Sequence, residues 1–583
     1  MFLPCTREEM KRLGWARLDV ILVTGDAYID SPFIGVAVIG KLLARQGFRV
    51  GIIAQPDIGS AADITRLGEP LLFWGITGGS IDSMVANRTA SGKRRRSDDY
   101  TPGGENTRRP DRAVIAYANL IRQHFKKTVP LVLGGIEASL RRVSHYDYWD
   151  NRVRRSILFD AKADYLLYGM AERSVVELAR TLAAGEPPTF IRGLCHIAPT
   201  APEQALLLPA HQTVAQDKQA FTAMFRTFYD HNDPLTARPL AQQQDSRFLV
   251  HNPPPLPLST EELDAVHALD FERELHPLDR QRGQVRALDT IRFALTTHRG
   301  CYGECNFCAI AVHQGRTIQQ RSATSIVREA ETLAAHPSFK GMIADVGGPT
   351  ANMYGFECAK KLARGACRDK RCLFPAICPS LRIDHGPLIA LLQRLRGVRG
   401  IKKIAVASGV RYDLILADHK KGLDYLRELV RHHVSGQMKI APEHSEAEVL
   451  AAMGKPGTES LLQFRRLFNR LTEEEGLRQF LTYYLIAAHP GCTQAAMERL
   501  RAFCQRELHL VPRQVQLFTP TPCTWSTLMY WTETDPFSKS PCFVEKNDVG
   551  RERQKAALAT SHPCSPKEST SPPANRSTAR RKR

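Results

Sequence analysis

The feature that most restricts this chain is an alternation of short, largely apolar runs with amphipathic stretches, and it occurs twice. In the first series VILVT (20–24), FRVGIIA (48–54), LLFWGIT (71–77), PLVLGGI (130–136) and YLLYG (165–169) read as strands. GVAVIGKLLARQG (35–47) has helical spacing and ends on a glycine. A strand with no polar alternate positions is buried on both faces, and strand–helix alternation sets such strands parallel with helices on either side. Residues 1–200 therefore predict a doubly wound parallel sheet.

The second series is IRFALTTH (291–298), GMIADVGG (341–348), KKIAVASG (402–409), QMKIAPE (437–443), FLTYYLIAA (480–488) and RQVQLFTP (513–520). Helical stretches such as ATSIVREAETLAA and DYLRELVRHH lie between them. Six such units predict a partial (β/α)6 barrel of TIM type over residues 286–535, with its chemistry at the carboxyl ends of the strands. Polar and glycine-rich punctuation stands at those ends: DVGGPT, ASGVR, APEHS, AAHPG and FTPTP. Residues 201–285 read as a linker region, helical at QAFTAMFRTFYDHND and polyproline-like at HNPPPLPLS. Residues 89–112, TASGKRRRSDDYTPGGENTRRPDR, read as a surface loop or flexible lid, and residues 536–583 as a basic disordered tail. The fold class expected is α/β in two domains, as a length of 583 residues requires.

Lys and Arg number 80 against 60 Asp and Glu, a net charge of +20. That balance suits an acidic partner such as nucleic acid, or simply a soluble surface. No apolar run approaches the ~18 residues that span a bilayer. The first residues, MFLPCTREEMKRLGW, lack the apolar core of a secretion signal. The expectation is a cytoplasmic protein without membrane contact, in a compartment that keeps thiols reduced.

Cysteine placement then carries information. Seven of the 14 cysteines fall between Cys301 and Cys378. Cys301, Cys305 and Cys308 are spaced C-x3-C-x2-C in HRGCYGECNFCAIAVHQGR, directly after the first strand of the second series. Closed zinc sites take four protein ligands, whereas a cubane iron–sulfur cluster held by three thiolates keeps one iron open to another molecule. Gly300 and Gly303 let the loop bend around such a cluster. His298 or His313 as the fourth ligand of a zinc site is the competing reading, and spacing alone leaves both open. Cys358, Cys367, Cys372 and Cys378, spaced C-x8-C-x4-C-x5-C in an insertion at 353–380, supply four more thiols. They suit a second iron–sulfur cluster or a zinc ion, against the alternative of free thiols buried as small hydrophobes.

The three-cysteine loop after a barrel strand, with Phe307 just before its third cysteine, resembles the radical S-adenosylmethionine (SAM) superfamily. The resemblance implies a [4Fe–4S] cluster on Cys301, Cys305 and Cys308, with SAM chelated to the open iron. It also implies reductive cleavage of SAM to methionine and a 5′-deoxyadenosyl radical, driven by a donor such as a flavodoxin or ferredoxin. Gly347 and Gly348 match the glycine-rich segment whose backbone meets the amino group of SAM; Pro349 stands where the superfamily often has an acidic residue. Ser408 and Arg411 match positions for the carboxylate and ribose, and a guanidinium pairs bidentately with a carboxylate.

A closer resemblance is to the YgiQ family of uncharacterised radical SAM proteins. It rests on TGDAYIDSPFIGVAVIGKLL, GGIEASLRRVSHYDYWDN, TTHRGCYGECNFCAI, DVGGPTANMYG, KIAPEH and FTPTPCTWSTLMYW, spread over residues 20–540. The N-terminal half resembles the cobalamin-binding fold, but DSPFIG places Pro32 where that fold's cobalt-ligating histidine stands. Proline has no donor atom for a metal, so base-off cobalamin binding through this position is excluded; another mode of cobalamin binding stays open beside the reading of the domain as a retained scaffold or as binding something else. The resemblance names no substrate. RNA stays open because KIAPEH and AAHPG are reminiscent of radical methylthiotransferases acting on tRNA, although no RNA-binding domain follows the barrel. A reading from a different class is a non-enzymatic, zinc-containing nucleic-acid-binding protein.

Overall fold

The computed structural model describes residues 1–512 and 515–558. The N-terminal half is built on β1 (Val20–Thr24), β2 (Val50–Ala54), β3 (Phe73–Thr77), β4 (Leu131–Gly134) and β5 (Tyr165–Leu167). These five run parallel, in the order β5-β4-β3-β1-β2. Every residue of β1 and β2 is buried, which is why these runs read as continuously apolar. Helices Gly35–Arg45 and Glu172–Ala183 pack together, and their buried Val36, Leu43, Val175 and Leu178 share one core cluster with Val20, Leu22 and Ile52.

The sheet does not stop at residue 200. β6 (Leu194–Ala198), β7 (Leu206–Leu208), β8 (Leu240–Gln244) and β9 (Arg247–His251) extend it to nine strands, ordered β7-β8-β9-β6-β5-β4-β3-β1-β2. β6 and β9 join antiparallel, so the added edge is a mixed one. The expected linker at 201–285 is thus corrected over most of its first half. Its polar residues hid the strands: Gln242 and Gln244 are fully buried, and their amides bond Ser144, Ser156, Met224 and Pro209.

Six further strands follow in the C-terminal half: β10 (Ala294–Thr296), β11 (Asp345–Gly347, preceded by Met342–Ile343), β12 (Lys403–Ile404), β13 (Gln437–Glu443), β14 (Phe480–Ala487) and β15 (Gln516–Leu517). Each pairs parallel with the next, through Ala294↔Asp345, Ile343↔Ile404, Val410↔Ile440, Lys439↔Thr482 and Ala487↔Leu517. Among the described residues β15 does not pair back to β10, so the barrel is partial. Of the stretch 513–520 expected as a strand, residues 513–514 lie outside the described residues.

Two expectations are revised by burial. The 89–112 loop is no free lid, because Arg109 is buried between Asp26 and Asp98 and donates to the Gly78 carbonyl at 2.7 Å. A fully buried guanidinium held by two carboxylates fixes the loop over the sheet. The basic tail expected from residue 536 contains a helix at Asp548–Leu558. Polar Gln554 docks it, accepting from the Ala488 amide at 3.0 Å and donating to the Cys492 carbonyl at 2.9 Å, while buried Arg551 donates to the Phe518 carbonyl. Residues 559–583 of that tail lie outside the described residues.

Candidate functional site: a three-cysteine loop on the barrel rim

The loop is closed at its base. His298–Arg299 pairs antiparallel with Gln319–Gln320, and the Cys301 amide donates to the Gly315 carbonyl at 3.2 Å. Gly300 sits at φ +81°, and a Cβ there would stand 2.2 Å from the Thr317 carbonyl oxygen, so only glycine fits. The tip is tied down from two directions. Asn306 takes the Met453 carbonyl with its backbone and the Ala452 carbonyl with its amide, both at 2.8 Å. Glu304 accepts from the Tyr229 hydroxyl at 2.9 Å and pairs with Arg316, linking the loop to the N-terminal half.

Cys301, Cys305 and Cys308 are all half-buried and free. Burial pushes the Cys301 thiol up, and it pushes Cys308 up to about 12; the charge on Cys305 raises both further. Cys301 and Cys308, raised in this way, ionise only when a cation neutralises the charge. That donor set fits an iron–sulfur cluster. Cys301 Sγ also has Thr350 Oγ1 at 3.7 Å and Met353 Sδ at 3.8 Å. Neither residue stood out in the sequence.

Arg411 brings its Nη1 to 3.9 Å from Cys305 Sγ. The rest of its fork is taken by Asp413, at 3.0 Å and 2.5 Å. Burial would lower the guanidinium's pKa, but Asp413, then Cys305 and Cys301, outweigh it and raise the value, so the charge is held. Asn352 clamps the backbone of Arg411 on both sides, accepting from its N–H and donating to its carbonyl. Ser408 is likewise engaged: Asp345 takes its hydroxyl and its N–H, with the Ala407 N–H at 2.7 Å. Asp345 thus fastens the turn after β12 to the start of β11.

Gly347 and Gly348 lie at the end of β11 against these groups. A Cβ on Gly348 would meet the His298 ring at 2.6 Å, and one on Gly347 would touch Ser408 at 3.4 Å. Phe307 packs against the cores of both halves, edge-on to His489 at 6.2 Å. The structure therefore gathers Cys301, Cys305 and Arg411 around the loop, with Gly347, Gly348 and Ser408 on the adjoining rim, and makes Phe307 an anchor between halves. Among the described residues no group of three or more His, Cys, Asp or Glu is arranged to hold a metal ion, which holds for Cys301, Cys305 and Cys308 with or without His298 or His313, and for the four cysteines of the insertion. Both histidines line a cavity of about 500 Å³ between the two halves.

Cys358, Cys367, Cys372 and Cys378 come together around one small cavity of about 20 Å³. Burial pushes Cys372 up to about 12, against the nearby Lys361; at Cys378 a hydrogen bond from the Ser380 backbone lowers the thiol. The insertion packs on the back of the catalytic-type loop: Arg371 donates to Asn306 Oδ1 at 2.6 Å, and Lys361 to the Arg316 carbonyl at 2.7 Å.

Residues 2–294 match the radical SAM N-terminal family. The chain is 54% identical over 555 residues to the UPF0313 protein FN0734 of Fusobacterium nucleatum, covering 95% of this chain and 98% of that one. It is 47% identical over 558 residues to a UPF0313 protein of Thermotoga neapolitana, with coverage of 95% and 98%. Among solved structures it is similar to the radical SAM methyltransferase TsrM from Kitasatospora setae, with TM-score 0.47 and 14% identity over 86% of this chain and 75% of that one. It is also similar to the cobalamin-dependent radical SAM enzyme OxsB, with TM-score 0.49 and 13% identity over 89% and 56%. The chain is a member of the radical SAM superfamily. Within it, the chain belongs to the UPF0313 family, for which YgiQ is another name.

Proposed function

We propose that the chain is a radical SAM enzyme whose catalytic cluster is a [4Fe–4S] held by Cys301, Cys305 and Cys308. The observation that carries this is the loop itself: three half-buried free thiols on one glycine-bent turn, with burial raising Cys301 and Cys308. Cys301, Cys305 and Cys308 would hold the cluster, which would supply the one-electron reduction of SAM that radical chemistry on a substrate needs. The protein's own residues supply the surroundings. Arg411, held by Asp413 and Asn352, keeps a fixed positive charge beside the thiolates. Gly347 and Gly348 offer unobstructed backbone at the rim, and Asp345 with Ser408 holds that rim to the next strand. Burial by the N-terminal half limits water at the loop.

A second metal site on Cys358, Cys367, Cys372 and Cys378 belongs to this reading, supported by their placement around one cavity among Lys360, Lys361, Lys370 and Arg371. Cationic neighbours favour thiolates. The net charge of +20 suits an acidic one-electron donor of the flavodoxin or ferredoxin type.

The test is anaerobic reconstitution with iron and sulfide, followed by dithionite and SAM. The expected result is a brown protein that forms 5′-deoxyadenosine, and a Cys301/Cys305/Cys308→Ala variant that forms none. A colourless protein holding only zinc after reconstitution overturns the proposal.

A further inference from the structure

The cavity of about 500 Å³ is walled by both halves of the molecule. On one side stand the carboxyl ends of β1, β3 and β4, with Thr24, Thr77 and Gly134; on the other stand Thr296, Gly347 and Ser408 of the barrel. Open parallel sheets bind ligands just beyond the carboxyl ends of their strands, and small-molecule pockets run to about 300–1,000 Å³. Phe33, Ile39, Leu167 and Val175 make much of the wall apolar.

Ser80 Oγ, Glu172 Oε2, His298 Nε2 and His313 Nδ1 belong to residues of the wall, but each is closed to the cavity as well as to bulk water. Glu172 is 4% exposed and His298 0%. What the cavity presents is therefore mainly its apolar wall.

The charges lining the cavity restrict its ligand. Its one guanidinium, Arg299, is spent on Glu172, which spans the two halves. Asp26 is paired with Arg109 at 2.8 Å, and Asp345 is taken up by Ser408 and two backbone N–H groups. Among the described residues no lysine and no second arginine lines the cavity. The positive charge of this basic chain is therefore not presented here, and a phosphate entering would find no free cation.

We infer that this cavity is the substrate chamber, and that it takes a largely apolar, uncharged small molecule rather than a nucleic acid or a phosphorylated metabolite. The inference rests on the radical SAM reading only for the word substrate, since Gly347, Gly348 and Ser408 at its barrel end are where that reading places SAM. A molecule held against the N-terminal wall faces that end directly.

The test uses two dyes of one ring system, uncharged N-phenyl-1-naphthylamine and its sulfonate, 1-anilinonaphthalene-8-sulfonate. They are titrated into the full-length reconstituted protein with SAM present and no reductant, at moderate salt to screen surface charge. The uncharged dye is expected to bind one per chain, at least tenfold more tightly than the sulfonate. Ile39→Trp, which fills the chamber from helix Gly35–Arg45, should weaken the uncharged dye at least tenfold while circular dichroism stays native. Glu172→Gln keeps the shape but frees Arg299, and should strengthen the sulfonate several-fold while leaving the uncharged dye unchanged. Equal or tighter sulfonate binding to the parent protein, uncharged dye retained by folded Ile39→Trp, or uncharged dye wholly expelled by SAM would each overturn the inference. Failure of the enzyme reading looks different: a protein that binds the dye but assembles no cluster and cleaves no SAM.

Discussion

Asp413→Asn tests whether the charge beside Cys305 is held by its partner. Arg411 and Asp413 have side chains only 10% and 7% exposed, joined by two hydrogen bonds at 3.0 Å and 2.5 Å. Removing one member of a buried pair costs about 3–5 kcal/mol, mostly because the other charge is left unpaired. Asparagine keeps one acceptor, so the lower end, about 3 kcal/mol, is the appropriate estimate. At about 1.4 kcal/mol per factor of ten, this is a roughly 100-fold shift in the equilibrium that holds the turn. The Arg411 N–H donates to Asn352 Oδ1 at 2.9 Å, so native-state hydrogen exchange of a peptide spanning this turn reads the opening directly. Exchange in the cluster-free protein should quicken by up to that factor. The double variant Arg411→Met/Asp413→Leu should recover most of the protection, because an apolar pair leaves no buried charge alone. Unchanged exchange in Asp413→Asn, or a double variant as labile as the single, refutes the reasoning.

Gly300→Ala should abolish iron loading on reconstitution, since its Cβ meets the Thr317 carbonyl at 2.2 Å, whereas Gly476→Ala, also at positive φ but with nothing within 4 Å, should load normally; total iron and sulfide analysis separates them. Replacing Cys358 and Cys372 by Ser should lower total bound metal while leaving the iron held by Cys301, Cys305 and Cys308, which metal analysis by mass spectrometry will show. Glu9 pairs with His276 and accepts from the Cys5 and Thr6 amides; burial opposes the shift, but these partners lower its carboxyl to about 2. A depressed folded value gives stability that is present above the ordinary carboxylate range and is lost as pH falls towards 2. The melting difference between parent and Glu9→Gln should therefore be largest at neutral pH and fade in acid.

Much of the architecture was legible because its strands are short, largely apolar runs, buried on both faces in β1 and β2 and on alternate positions in much of QMKIAPE. VILVT and QMKIAPE form strands over their full quoted length, as residues 20–24 and 437–443. The mixed edge β7-β8-β9-β6 was not legible. Its inward glutamines look like loop residues until their amides find Ser144 and Ser156 from a distant stretch. The docked helix Asp548–Leu558 escaped for the same reason, since Gln554 and Arg551 are polar in sequence and buried only by their partners.

At the site, the sequence by itself determined the chemistry that the chain carries: three thiols on one glycine-bent loop, a glycine pair after the next strand, and four more thiols in one insertion. These are local, because ligand type and spacing within a loop are properties of consecutive residues. The tertiary structure decided who stands beside them. Asp413 and Asn352 govern Arg411, Glu172 neutralises Arg299, and His298 and His313 face a cavity shared by the two halves. Burial and charge compensation depend on residues brought together from distant positions, 59 apart for Asn352 and Arg411 and 127 for Glu172 and Arg299. Only the folded chain sets those distances.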